Sequence, residues 1–129
     1  MVGIVVVSEN KEASEMLRSL KRLFGHTSGI IAVALGSAQN IRDMRVKVEK
    51  AIAKVNKGKG VVVLTNLFGS TQCNVCNCFL NKGRVEMIVG FNFPLLIKLM
   101  LVRGEMPFHK LLPFLERYGK KQIRYIKAQ

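Results

Sequence analysis

Acidic residues are scarce in this chain of 129 residues: 8 Asp+Glu stand against 21 Lys+Arg, a formal charge of +13 at pH 7. It also has no tryptophan, 2 tyrosines, 3 prolines, 2 histidines and 3 cysteines. Each shortage removes a class of explanation. Cysteines crowded at Cys73, Cys76 and Cys78 cannot staple distant parts of a fold, so a disulfide scaffold is excluded and reduced thiols are expected. Long disorder is excluded by a hydrophobic content of 49%. No apolar run approaches the roughly 18 residues of a membrane helix. The longest, Phe93 to Val102, holds Pro94 and Lys98. The apolar start, Met1 to Ser8, lacks the basic leader and small-residue cleavage site of a signal peptide, so a cytoplasmic location without membrane insertion is expected.

The excess of positive charge invites a polyanion partner, but its distribution argues against one. Basic residues are spread along the chain, at Lys11, Arg18, Lys21, Arg22, Arg42, Arg45, Lys47, Lys50, Lys54, Lys57, Lys59 and a tail set from Arg117 to Lys127. No aromatic residues interleave them and no nucleic-acid motif is present. A lysine-biased, solvated surface is the preferred reading, and nucleic acid is disfavoured as a partner. A basic module that holds nucleic acid or an acidic protein is the alternative.

What is present is alternation. A chain of this length, read as one domain over 1–129, buries about two-thirds of its unfolded surface and needs neither disulfide nor metal to hold a core; no cofactor is expected. Met1 to Ser8 is a continuous β-branched run, the pattern of a strand buried on both faces. Ala13, Met16, Leu17, Leu20, Leu23 and Phe24 then recur at helical spacing, with Gly25 as a stop. Gly29 to Leu35 predicts a second strand, and Asn40 to Lys57 a second helix with Ile41, Met44, Val48, Ile52 and Val55 on its apolar stripe. Gly60 to Thr65 predicts a central third strand. A helix capped by Ser70 or Thr71, with Thr71 preferred, follows through about Leu80, then a fourth strand over Val85 to Val89. Asn92 caps an apolar helix through Val102, and Pro107 opens a helix that stops at Gly119. Gln122 to Ile126 is a candidate last edge strand.

Strands that alternate with helices and are apolar throughout mean an α/β, doubly wound, mainly parallel four-stranded sheet with helices on both faces. The common strand order 2-1-3-4 puts a ligand crevice outside the carboxyl ends of strands 1 and 3. That brings Ser8, Glu9 and Asn10 opposite Asn66, Phe68, Gly69, Ser70 and Thr71, a candidate pocket for phosphate or a partner. Gly69 admits close backbone approach, and Ser70 and Thr71 offer hydroxyls at a helix start. A plain helix cap explains the Ser-Thr pair equally well.

At these residues the sequence resembles the IIA component of the mannose-type sugar phosphotransferase system. The family signature Asp-Leu-Phe-Gly-Gly-Thr-Pro-x-Asn stands here as Asn66-Leu67-Phe68-Gly69-Ser70-Thr71-Gln72-Cys73-Asn74. A second match, Val89 to Leu96, is similar to the family's Gly-Val-Asn-Leu-Pro-Met-Leu segment. The likeness spans nearly the whole chain and implies a single EIIA mannose-type domain. It also implies a cytoplasmic phosphoryl carrier, whose histidine after the first strand accepts a phosphoryl group from HPr and passes it to a IIB component. Homodimers in which the C-terminal strand crosses to the partner are implied too.

The departure matters more than the match. Ungapped alignment of the first helix puts Asn10 at the position of the phosphorylated histidine, and Asn66 replaces its aspartate partner. A carboxamide nitrogen is delocalised and does not attack phosphorus as an imidazole does. No catalytic residue is therefore expected, and the chain reads as a pseudo-enzyme that binds partners or regulates. The alternative is a working carrier with a displaced site. His26, His109 and Glu9 are the candidates for that role. The two histidines fall outside the crevice, and Glu9 has no counterpart in the family pattern. Cys73 and Cys76 form a C-x-x-C near a helix start, yet both read as packing residues rather than redox or zinc groups.

Overall fold

The computed structural model describes residues 1–129. Four parallel strands, β1 (Gly3–Ser8), β2 (Ile30–Ala34), β3 (Val61–Thr65) and β4 (Val85–Val89), form one sheet in the order β2-β1-β3-β4. Five helices connect and cover them: α1 (Glu12–Phe24), α2 (Ile41–Val55), α3 (Thr71–Asn77), α4 (Phe93–Val102) and α5 (Phe108–Lys121). The expected doubly wound fold and strand order are both present.

The two-residue period of the strands sorts the core into two layers. Ile4, Val6, Val62 and Leu64 face α1, α4 and α5, where Leu20, Leu96, Leu99, Leu111 and Leu115 complete one cluster. Val5, Val7, Val61 and Val63 face the opposite side, with Met44, Val48, Val55, Val75 and Cys76 from α2 and α3. β1 and β3 are therefore buried on both faces, which is why neither shows polar alternation.

Helix ends follow local chemistry. Gly25, at φ 82°, ends α1 and gives its N–H to the Lys21 carbonyl at 2.7 Å. Asn40 and Asn92 each accept from a first-turn N–H, of Asp43 at 2.8 Å and of Leu95 at 3.0 Å. At α3 the cap is Ser70, not Thr71: its Oγ accepts from Cys73 N–H at 3.1 Å. That helix is also shorter than expected, ending at Asn77.

Three other expectations are corrected. Ile41 opens α2 before the helix has settled onto the sheet and stays 45% exposed, while Ala51 takes a place in the buried stripe. Gly119 does not stop α5, which runs on to Lys121. It is a contact glycine, since a Cβ there would stand 2.8 Å from Leu95 Cδ1, and its carbonyl accepts from Asn92 Nδ2 at 2.9 Å. Gln122 to Ile126 form no strand; the segment pairs with nothing in its own chain, and Ile123, Tyr125 and Ile126 are exposed.

α4 ends on a buried cation. Arg103 is 4% exposed, lies against Gly29 (φ 73°), and donates through Nη2 to the Ser28 carbonyl at 2.7 Å. Its Nη1 meets Met100 Sδ at 3.4 Å and its Nε has no partner. Burial pulls this guanidinium below its ordinary pKa.

Candidate functional site: the carboxyl end of the sheet

Val7 is registered opposite Thr65, so the chain leaves β1 and β3 side by side. Ser8 to Asn10 and Asn66 to Phe68 are therefore neighbours at the carboxyl end of the sheet, at its topological switch point. Their chemistry is less open than the sequence suggests. Ser8 is buried and its hydroxyl is spent on the turn into α1, donating to the Asn10 carbonyl at 2.9 Å and accepting from Ala13 N–H at 3.0 Å. Asn10 donates its backbone N–H to Glu12 Oε2 at 2.9 Å. No hydrogen bond joins the carboxamides of Asn10 and Asn66, and both residues are exposed.

The cleft at this end opens on the other side of β1. Glu9, Asn10, Lys11, Glu12, Ser14 and Glu15 line it together with Ala34, Gly36, Gln39 and Lys47. None of Asn66, Phe68, Gly69, Ser70 or Thr71 contributes. The expected pocket is thus divided: the Ser8-closed turn brings Glu9 and Asn10 towards β2 and α2, while Gly69, at φ 80°, carries its own loop directly into α3. Ser70 Oγ is committed to its cap, and Thr71 is exposed in the first turn. Leu67 and Phe68 project into solvent, 64% and 85% exposed.

One residue of this region escaped the sequence reading. Gln72 is buried and donates Nε2 to the Leu35 carbonyl at 2.9 Å, tying α3 to the end of β2 across two strands. Only its place at the Pro of the family signature marked it as unusual.

Other candidates lie elsewhere. His26 sits in the turn between α1 and β2, at the amino end of the sheet. His109, in the first turn of α5, lines a groove of about 620 Å³ beside the open edge of β4, with Glu86, Met87, Leu112, Glu116, Lys120 and Ile123 among its walls. Cys73 and Cys76 are buried, as their reading as packing residues requires, and Cys78 is exposed. Burial, and then the neighbouring Cys73 and Cys78, push the Cys76 thiol up to about 12, which keeps it protonated and unreactive. No group of three or more His, Cys, Asp or Glu is arranged to hold a metal ion. No helix is long and apolar enough to cross a membrane.

Comparison with known proteins adds an independent line. The family model EIIA-man, described as "PTS system fructose IIA component", matches residues 3–115. The mannose-specific EIIAB component of Escherichia coli strain K12 is 23% identical over 99% of this chain, which spans only 40% of that protein. The fructose-specific EIIA component of Bacillus subtilis is 22% identical over 96% of the chain and 86% of its own length. Among solved structures, the EIIA component from Streptococcus agalactiae superposes with a TM-score of 0.86 at 21% identity, covering 97% of both chains. That likeness concerns the fold.

Proposed function

This chain belongs to the EIIA-man family of phosphotransferase-system IIA components, and from that membership we propose that it binds partners of a sugar phosphotransferase chain without carrying phosphate. The observation that carries the proposal is the pair of carboxamides, Asn10 and Asn66, at the neighbouring ends of β1 and β3. Phosphoryl transfer through a side chain needs a nucleophile that attacks phosphorus and later leaves it. An imidazole with a carboxylate to orient it does both, and an amide does neither. Ser8 and Ser70 offer no substitute, since each hydroxyl already serves the backbone.

The partners are HPr-like and IIB-like proteins, and the docking face comprises Glu9, Asn10, Asn66, Phe68, Gly69, Ser70 and Thr71, with buried Ser8 holding the turn beneath Asn10. The exposed Leu67-Phe68 tip supports docking, because neighbouring large apolar side chains held in water are a mark of an interaction site. The protein acts in the cytoplasm as a homodimer. The open edge of β4, its groove, and the unpaired tail from Gln122 onward support exchange of the tail between two copies.

The test is incubation with phosphoenolpyruvate, enzyme I and HPr, followed by intact mass and peptide mapping at neutral to alkaline pH, where phosphohistidine survives. The expected result is no phosphoryl adduct beside a positive control carrier, with HPr or a IIB component retained by the immobilised protein. An adduct at His26, His109 or Glu9 would overturn the reading and make this a working carrier with a displaced site.

A further inference from the structure

β2 is an edge strand, paired only with β1. In a parallel ladder, alternate residues turn both backbone groups to the same neighbour. The Gly29 carbonyl and Leu35 N–H bond to β1, so the odd-numbered residues of β2 face inward and Ile30, Ala32 and Ala34 face out. Two outward groups are already occupied: Ile30 N–H donates to the Thr27 carbonyl at 3.2 Å, and the Ala34 carbonyl accepts from Lys47 Nζ at 3.4 Å. The N–H groups of Ala32 and Ala34 and the carbonyls of Ile30 and Ala32 are left on an edge that no further strand covers.

A row of cations runs beside that edge. α2 packs on β1 and β2, with α3 against its other flank. Lys47, Lys50 and Lys54 recur at three- and four-residue spacing on one side of α2, and Lys57 follows in the turn beyond. The reach of Lys47 to Ala34 fixes that side as the one nearer the β2 edge. All are exposed and none has a carboxylate within ion-pair distance; the ion pairs present, Glu15 with Arg18 and Glu116 with Lys120, lie on α1 and α5. Like charges at this spacing weaken a helix, and the macrodipole accounts only for Lys54 in the last turn.

We propose that this surface docks an acidic, extended segment of another protein, which adds to the free edge of β2 and sets its carboxylates against Lys47, Lys50 and Lys54. A peptide is favoured over nucleic acid because the unpaired groups are backbone donors and acceptors in strand register, and because α2 and β2 carry no aromatic residue on which bases would stack. Lysines beside an edge also repel unwanted strands. A strand bearing carboxylates is the one kind that such a guard attracts.

The full-length protein, isotope-labelled, is titrated at low salt with a short peptide alternating glutamate and valine, and in parallel with an alternating lysine-valine peptide and with duplex DNA. The expected result is hydrogen exchange slowed by about tenfold or more at the Ala32 and Ala34 amides with the acidic peptide alone, abolished by high salt. K50E/K54E should lose the response with its circular dichroism unchanged. A32P, which removes an outward N–H from an edge position, should lose it while keeping every lysine. Equal responses to DNA, shifts at the lysines without protection at Ala32 and Ala34, or no response to the acidic peptide would each overturn the proposal. The carboxyl-end face is untouched by these variants, so HPr binding and phosphoryl mapping report on that face separately.

Discussion

On the proposed reading, Asn10 and Asn66 differ from a histidine and an aspartate by a few atoms, so the chemistry they would withhold should be restorable. N10H/N66D is expected to accept a phosphoryl group from HPr where the parent does not, read as a mass gain mapped to residue 10; N66D alone should remain unmodified. Cys76 supplies a second test. With its thiol pushed up to about 12, it should resist alkylation in the native protein near pH 8 while exposed Cys78 reacts, as peptide mapping would reveal. Its linkage to stability follows. The folded state holds the proton above the ordinary pKa of 9.0, so stability is intact below pH 9 and falls as pH rises from 9 towards 12. Urea midpoints for the parent and C76A across that range would expose the difference in slope. At this scale the sequence was legible only where a pattern existed to compare with. Asn10 and Asn66 stood out as departures from a signature. Gln72 did not declare its buried bond, because a glutamine reads the same whether its amide meets water or a distant carbonyl.

Elements were far easier to read. Strands apolar on both faces and helices with one apolar stripe are properties of neighbouring residues, and all four strands and five helices fall where that logic puts them. Two of the misses share a cause. Gly119 is the right residue for a helix stop, but it answers to Leu95 on another helix; the tail has strand composition, but no edge of its own chain receives it. Two substitutions test how tightly elements meet. A Cβ at Gly3 would run into the Val55 carbonyl, a backbone atom that cannot step aside, so G3A should lower the unfolding free energy by about 3 kcal/mol in urea titration. Q72M leaves the Leu35 carbonyl without its donor and should cost about 1–3 kcal/mol by the same measurement, with the far-ultraviolet spectrum unchanged.

For the molecule as a whole, the expected dimer makes the tail decisive. Deleting residues 122–129 should convert a dimer into a monomer by light scattering while leaving the unfolding transition of the remaining chain cooperative, because Ile123, Tyr125 and Ile126 contribute nothing to the core of one subunit. A tail-deleted protein that still dimerises would exclude strand exchange. Strand order was legible at this scale because few topologies satisfy alternating strands and helices. The course of the cleft was not: it depends on which way the three-residue turn Glu9 to Lys11 directs Asn10, and that is set by the two hydrogen bonds of Ser8. The Arg103 latch has a consequence in time. It clasps the Ser28 carbonyl across 75 residues of chain. On a ribosome, the turn that leads into β2 therefore emerges long before the side chain that fastens it, and β1, beside it, waits equally for β3. Assembly cannot follow the order of synthesis, and nascent chains ending before residue 103 are expected to be cut readily at Thr27 to Gly29 in pulse proteolysis, a sensitivity that closes once α4 has cleared the exit tunnel.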